Sequence, residues 1–378
     1  MSFWQSSALK CASAALAAAI LGCGPRDGAK EFSEGKEAYD LRDLKKAERL
    51  FTESLALAPQ DVDRLLYLAR TELELGELDR AKDLIGQAAG NSEGDADVAL
   101  LESQIAWHAK DYKTAASGFA DIANDEKLDA VVRSQGWAGL GVVEMTCDNH
   151  HLARIAFLRA IRLDRKNAAA WYHLGLLYRD GFGYLEPALE QFEIFVRLEE
   201  QSSPRVQKVQ RTVIPALKES ISRAATERPG VAKRNSASCA ASISTAEAAV
   251  KKGNFKAARE AYQKALAADP LSYPAALGLA KAWEKTDATR DGQTKAFESY
   301  RTACALRPSA VTTFLTAGSL ATKLGLNLQA VEIYSRAVAA NPNSLDAIDG
   351  LIRALRKIGG KEKVAAAYQA YRASLGKK

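Results

Sequence analysis

The sequence is poor in the residues that most protein chemistry needs. Of 378 residues only four are His, five are Cys and two are Met. No two cysteines form a CxxC pair, which excludes a zinc ribbon and a disulfide-built mini-scaffold, and no metal or cofactor is expected. Proline (10 residues) and aromatics (7%) are scarce as well, whereas Ala fills 71 positions, so the composition points to helix. Long apolar runs are missing: the stretch from Cys11 to Gly22 has 12 residues, short of the roughly 20 a membrane-crossing helix needs. With 26% charged and 47% hydrophobic residues the chain is neither disordered nor a multi-span membrane protein.

The net charge of +6 is local. Residues 205–234 hold eight basic residues (Arg205, Lys208, Arg211, Lys218, Arg223, Arg228, Lys233 and Arg234) against Glu219 and Glu227, and the remainder of the chain is balanced. A nucleic-acid binder needs phosphate contacts spread over a surface, so none is expected here.

The N-terminal residues read as an address. One basic residue, Lys10, precedes the short Ala-rich run, which ends Ile20-Leu21-Gly22-Cys23. These four residues resemble the lipobox of bacterial lipoproteins, which implies a signal peptide over residues 1–22, lipidation of Cys23 and anchoring in the bacterial cell envelope. Gly24 after the cysteine favours the outer membrane over the inner in that comparison. Several lipid chains hold a protein where one would not, at about 0.8 kcal/mol per buried CH₂. The breaker-rich Gly24-Pro25-Arg26-Asp27-Gly28 makes residues 23–29 a tether.

Beyond the tether one unit recurs. A small Ala precedes a large apolar residue by four positions at Ala47/Phe51, Ala81/Ile85, Ala115/Phe119, Ala153/Phe157, Ala188/Phe192, Ala258/Tyr262, Ala296/Tyr300 and Ala330/Tyr334, at spacings near 34. Each unit reads as two helices with a short turn at a Gly or an Asn/Asp, as at Leu75-Gly76-Glu77 and Lys252-Gly253-Asn254. One pair cannot bury its apolar face alone, so pairs must stack. Longer spacings into the units of Ala153, Ala188 and Ala296 predict insertions, with protruding turns; Gly181, Gly183 and Pro187 mark the second.

Trp171-Tyr172-His173-Leu174-Gly175-Leu176-Leu177-Tyr178, followed by Ala188 and Phe192, reproduces a W-x2-L-G-x2-Y opening. The chain thereby resembles the tetratricopeptide-repeat family, as do Gly253-Asn254-Phe255 through Pro270 and Gly325 through Pro342. The resemblance implies an all-α fold, a right-handed α-solenoid of stacked helix-turn-helix units. Five units are expected over residues 30–202 and four over 239–378. Residues 203–238 lack the motif and, with Pro204, Pro215, Pro229 and the run Asn235-Ser236-Ala237-Ser238, read as a capping helix and basic linker or as a degenerate repeat.

The family resemblance also places ligands on the face made by the first helices. Matching positions are Lys36, Arg70, Gln104, Val142, Leu176, Glu247, Lys281, Ser319 and Arg353, with Trp107, Met145, Tyr172 and Arg179 around an apolar middle. Lys281, Lys323, Arg353, Arg356 and Lys357 bias the C-terminal part toward an acidic peptide, offset in part by Glu284, Asp346 and Asp349. Phe32 and Lys36 stand where chaperone-binding members carry a carboxylate-gripping Lys and Asn, so no chaperone tail is expected.

No catalytic constellation is evident, and the protein is expected not to be an enzyme. Cys147-Asp148-Asn149-His150-His151 falls in a turn, where adjacent His side chains diverge. Gly139-Leu140-Gly141 follows a helical rather than a strand pattern, which excludes a phosphate cradle. The expected function is a membrane-anchored scaffold or assembly factor in the envelope, binding a protein or peptide; the alternative is the recognition subunit of an envelope enzyme complex that engages the enzyme or a glycan or peptidoglycan substrate. Resembling lipoproteins include secretin pilotins and outer-membrane assembly factors, and no residue selects between them.

Overall fold

The computed structural model describes residues 27–92, 94–227 and 234–376. The expected signal peptide and Cys23 lie outside them. Among the described residues the chain is all-α, without strands, and no helix is long and apolar enough to cross a membrane. The contacts divide it into two compact units: residues 1–177 with 194–200, and residues 178–193 with 201–378.

The first unit contains α1 (Ala29–Asp40), α2 (Leu44–Leu57), α3 (Val62–Leu75), α4 (Leu78–Asn91), α5 (Ala96–His108), α6 (Tyr112–Asn124), α7 (Ala130–Thr146), α8 (His150–Leu163) and α9 (Ala168–Leu176). Helix starts follow from side chains that accept the otherwise unpaired N–H groups of the first turn: Asp43, Asp61, Asp95, Asp111, Asp129 and Asn167 all do so. The turn inside a pair needs one left-handed residue, met by Arg42, Gly76, Lys110 and Asp148. First helices touch one another in the series α1, α3, α5, α7, α9 while each second helix packs between them from one side, so the first helices form a face of their own.

The aromatics of α2, α6 and α8 each lie against a helical glycine. A Cβ on Gly35 would meet the Phe51 ring at 2.6 Å, on Gly139 the Phe119 ring at 2.5 Å and on Gly141 the Phe157 ring at 2.5 Å. Gly139 and Gly141 are thus seats for rings, which is why the Gly-Leu-Gly triplet occurs on a helix. The motif alanines, Ala47, Ala81, Ala115 and Ala153, are fully buried.

A π-wound turn, Leu177–Gly181, starts on the last residue of the first stretch and leads into the second unit and α10 (Leu185–Leu198), whose last residues belong to the first unit. Next comes a rod of α11 (Pro204–Lys208), a π-wound turn (Val209–Val213) and α12 (Ile214–Thr226). Pro215 has no N–H and its ring crowds the carbonyl four residues back; the wider π turn just upstream lets the helix continue. The helices α13 (Ser236–Lys251), α14 (Phe255–Ala268), α15 (Tyr273–Thr286), α16 (Arg290–Leu306), α17 (Val311–Leu324), α18 (Asn327–Ala340), α19 (Leu345–Arg356) and α20 (Glu362–Leu375) complete the unit.

Three expectations are corrected. Asn235-Ser236-Ala237-Ser238 is not linker: Asn235 caps α13, its N–H donates to the Ala268 carbonyl at 2.8 Å, and Arg234 pairs with Asp269. The insertions before Ala153 and Ala296 do not protrude but lengthen α7 and α16 to 17 residues, because an added helical turn keeps its backbone hydrogen-bonded where a loop would not. The third insertion folds inward: Tyr178 and Tyr184 are buried, Tyr184 stacks with Phe182 at 5.3 Å, and the Arg336 guanidinium lies over the Tyr184 ring at 5.2 Å.

Candidate functional site

The faces made by the first helices are the candidate sites, and the two units differ in what those faces leave free. In the first unit the polar residues are largely engaged. The Lys36 ammonium lies 4.7 Å from the Phe32 centroid and 6.0 Å from that of Tyr67, and Arg70 lies 5.8 Å over the same Tyr67 ring and 4.0 Å from Asp97. Tyr67 meets Phe32 and Tyr39 edge-on. Burial raises the Asp97 pKa against the opposing pull of Arg70. Burial, reinforced by the hydroxyl's 2.6 Å bond to Glu74, holds Tyr39 protonated far above the ordinary phenol range.

Farther along this face Trp107 donates from Nε1 to Thr146 Oγ1 at 3.2 Å, linking α5 to α7. Gln104, Met145, Tyr172 and Leu176 are half-buried, and the Tyr172 ring packs on Phe195 at 5.1 Å. Val142 is only 2% exposed and presents nothing to a ligand. The period that puts residue 142 on this face says nothing of α7's extra turn, and the side chain falls in the seam between helices. His173 is buried too, stacked on Phe157 at 5.9 Å. His108, packed against Trp107 at 4.8 Å, has its pKa lowered by burial.

His150 and His151 open α8 and turn to different partners, Asp148 at 3.7 Å and Arg154 at 3.3 Å. Among the described residues no three His, Cys, Asp or Glu side chains gather as a metal would require.

In the second unit Arg179 is occupied by Asp180 at 2.6 Å and lies 5.8 Å over the Phe192 ring. The α15, α17 and α19 face is more open. Glu284, Leu315, Thr316, Ser319, Leu320, Lys323, Asp346 and Arg353, with Tyr334 from α18, line a groove of about 430 Å³. The sequence placed Lys323 and Arg353 on this face, and the fold brings them to one groove. Lys281 is exposed on α15 outside that lining, and Arg356 is taken up by Gln369.

Of the three offsetting carboxylates only Asp349 is neutralised, while Glu284 and Asp346 remain in the groove lining with Lys323 and Arg353. Asp349 pairs with Arg372, and Glu284 accepts the Tyr300 hydroxyl, whose pKa is raised by burial first and by this bond second. Lys323 and Arg353, both exposed, have no carboxylate of the described residues within 4 Å. Arg353 approaches Tyr334, opposing the rise that burial imposes on that phenol. Tyr334 itself went unnoticed as a groove residue because its motif position marks it as core. Its ring fills the space above Gly318 and Gly350 while its hydroxyl end reaches the groove.

Two tetratricopeptide-repeat models match the chain, one over residues 38–105 and the other over residues 244–311. No curated protein matches it. Among solved structures, a MamA protein is 19% identical over 50% of this chain and 96% of its own, with a TM-score of 0.34. The pilF protein of Pseudomonas aeruginosa is 17% identical over 55% of this chain and 95% of its own, at 0.40. The Cut9–Hcn1 assembly of the APC/C is 14% identical over 93% of this chain and 79% of its own, at 0.36. The matched stretches, one in each unit, are tetratricopeptide repeats, and stacked helix pairs flank both.

Proposed function

We propose that the protein is an interaction scaffold of the bacterial cell envelope, held to the membrane through lipid on Cys23, and that its second unit grips an acidic segment of a protein partner. The observation that carries the partner reading is the groove between α15, α17 and α19, where Lys323 and Arg353 have no carboxylate of their own while Ser319 and Thr316 supply hydroxyls beside them. A cation already paired in the free protein gains little from a ligand, whereas an unpaired one gains a charge-assisted hydrogen bond. By that measure Lys36 and Arg70, spent on aromatic rings and Asp97, are weaker candidates. The anchor rests on the lipobox-like Ile20-Leu21-Gly22-Cys23.

Photocrosslinking from cell membranes tests both parts. Lys323→Glu/Arg353→Glu is expected to lose a discrete set of partners that wild type and Tyr172→Ala retain, and Cys23→Ser to lose labelling by a fatty-acid analogue. Recovery of the same partners with the charge-reversed groove removes the groove assignment; lipid labelling that persists in Cys23→Ser removes the anchor.

A further inference from the structure

The rod of α11, its π turn and α12 carries no repeat motif of its own, yet its five basic residues against Glu219 give it a net +4 of the chain's +6. It runs 23 residues from Pro204 to Thr226, a length of about 34 Å at 1.5 Å per residue. One side is spent on packing, with Val206, Val209 and Leu217 at most 4% exposed. Lys208, Arg211, Lys218 and Arg223 are exposed. Lys218 reaches Glu193 at 2.9 Å and Arg223 reaches Glu219, whereas Lys208 and Arg211 have no carboxylate of the described residues within 4 Å. Arg228 and Lys233, outside the described residues, add to the charge in sequence.

We infer that this rod is a basic strip that lies against anionic lipid headgroups. Three features select a membrane surface over a folded partner. Val206, Val209 and Leu217 are buried and Val213, Ile214 and Ile221 half-buried, with no aromatic on the rod, so little is left to anchor a protein interface, whose energy concentrates in desolvated apolar and aromatic residues. The groove between α15, α17 and α19 includes no residue of the rod. Charge spread along a line without a pocket matches a planar anionic surface, which attracts each basic side chain near it without demanding shape. The inference rests on the membrane-anchored reading only for the nearness of a bilayer; lipid on Cys23 and charge on the rod are separate determinants.

The test uses the full chain with Cys23→Ser, so that no lipid is attached. It is floated with vesicles of phosphatidylcholine alone or mixed with phosphatidylglycerol. Partitioning is expected to favour the anionic vesicles and to collapse in high salt. Lys208→Glu/Arg211→Glu is expected to weaken it by roughly tenfold or more, since each basic side chain near the surface contributes about fivefold. Lys256→Glu/Lys264→Glu, an equal charge change at exposed sites elsewhere, is expected to retain it; circular dichroism confirms that each variant is folded. Equal binding to both vesicle types, an unchanged rod variant, an equal loss in the control variant, or binding to soluble DNA or polyglutamate in place of vesicles each overturns the inference. Failure here leaves the lipid anchor standing, because that is judged by lipid labelling of the wild type.

Discussion

Glu72 shows how one residue can work against its own fold. It is fully buried on α3, with Arg80 2.7 Å away, and Arg80 also holds Glu48 at 2.9 Å. Neither Glu72 oxygen has a well-aligned hydrogen bond despite that proximity. Burial raises its pKa, and Arg80 only partly opposes the rise. A carboxyl that holds its proton more tightly folded than unfolded contributes stability at low pH and loses it as pH climbs from the unfolded value through the folded one. Urea midpoints between about pH 4 and 7 should therefore fall less steeply for Glu72→Gln than for wild type. Superimposable profiles would show that this ionisation is not linked to folding.

Pairing between helices depends on backbone that comes unusually close to a ring. Tyr334 of α18 lies between Gly318 of α17 and Gly350 of α19, and a Cβ on Gly350 would meet the ring at 2.2 Å. Gly86, in the middle of α4, faces open space. Both substitutions to Ala gain helix propensity, but only one collides. Gly86→Ala is expected to stabilise by about 0.5–1 kcal/mol, and Gly350→Ala to destabilise by about 1–3 kcal/mol, read from denaturant midpoints. A gain at both positions would mean that the ring slides aside at no cost. At this scale the sequence is highly legible. The Ala and aromatic positions announce the second helices, and Asp, Asn or Ser before many of the helices announce their starts, because capping and core burial are settled within a few residues. The insertions are not legible in the same way: four extra residues can make a loop or another helical turn, and only neighbours to pack on decide which.

A repeat protein is held together by contacts between neighbours, so damage should stay where it is made. Phe51 is fully buried in the first unit, and Cys304 of the second is 6% exposed, with burial pushing its thiol up to about 12. Phe51→Ala should weaken the first unit by about 3–5 kcal/mol. Native-state thiol labelling should still modify exposed Cys147 at once and leave Cys304 protected to the same degree as in wild type. Cys304 labelling accelerated by Phe51→Ala would show that the two units unfold as one. The sequence by itself determined the period, the helix pairs and the all-α class, since each is written in local patterns of size, capping and apolar spacing. Only the tertiary structure decided which residues of the helical faces remain free. Lys36 is spent on Tyr67 and Arg70 on Asp97, each on a neighbouring helix, Val142 sinks into a seam, and Asp349 is neutralised by Arg372, while Lys323 and Arg353 stay open. The physical reason is that charge pairing and burial are settled between side chains brought together from different helices, and a period read along the chain fixes the face a residue lies on without fixing what meets it there.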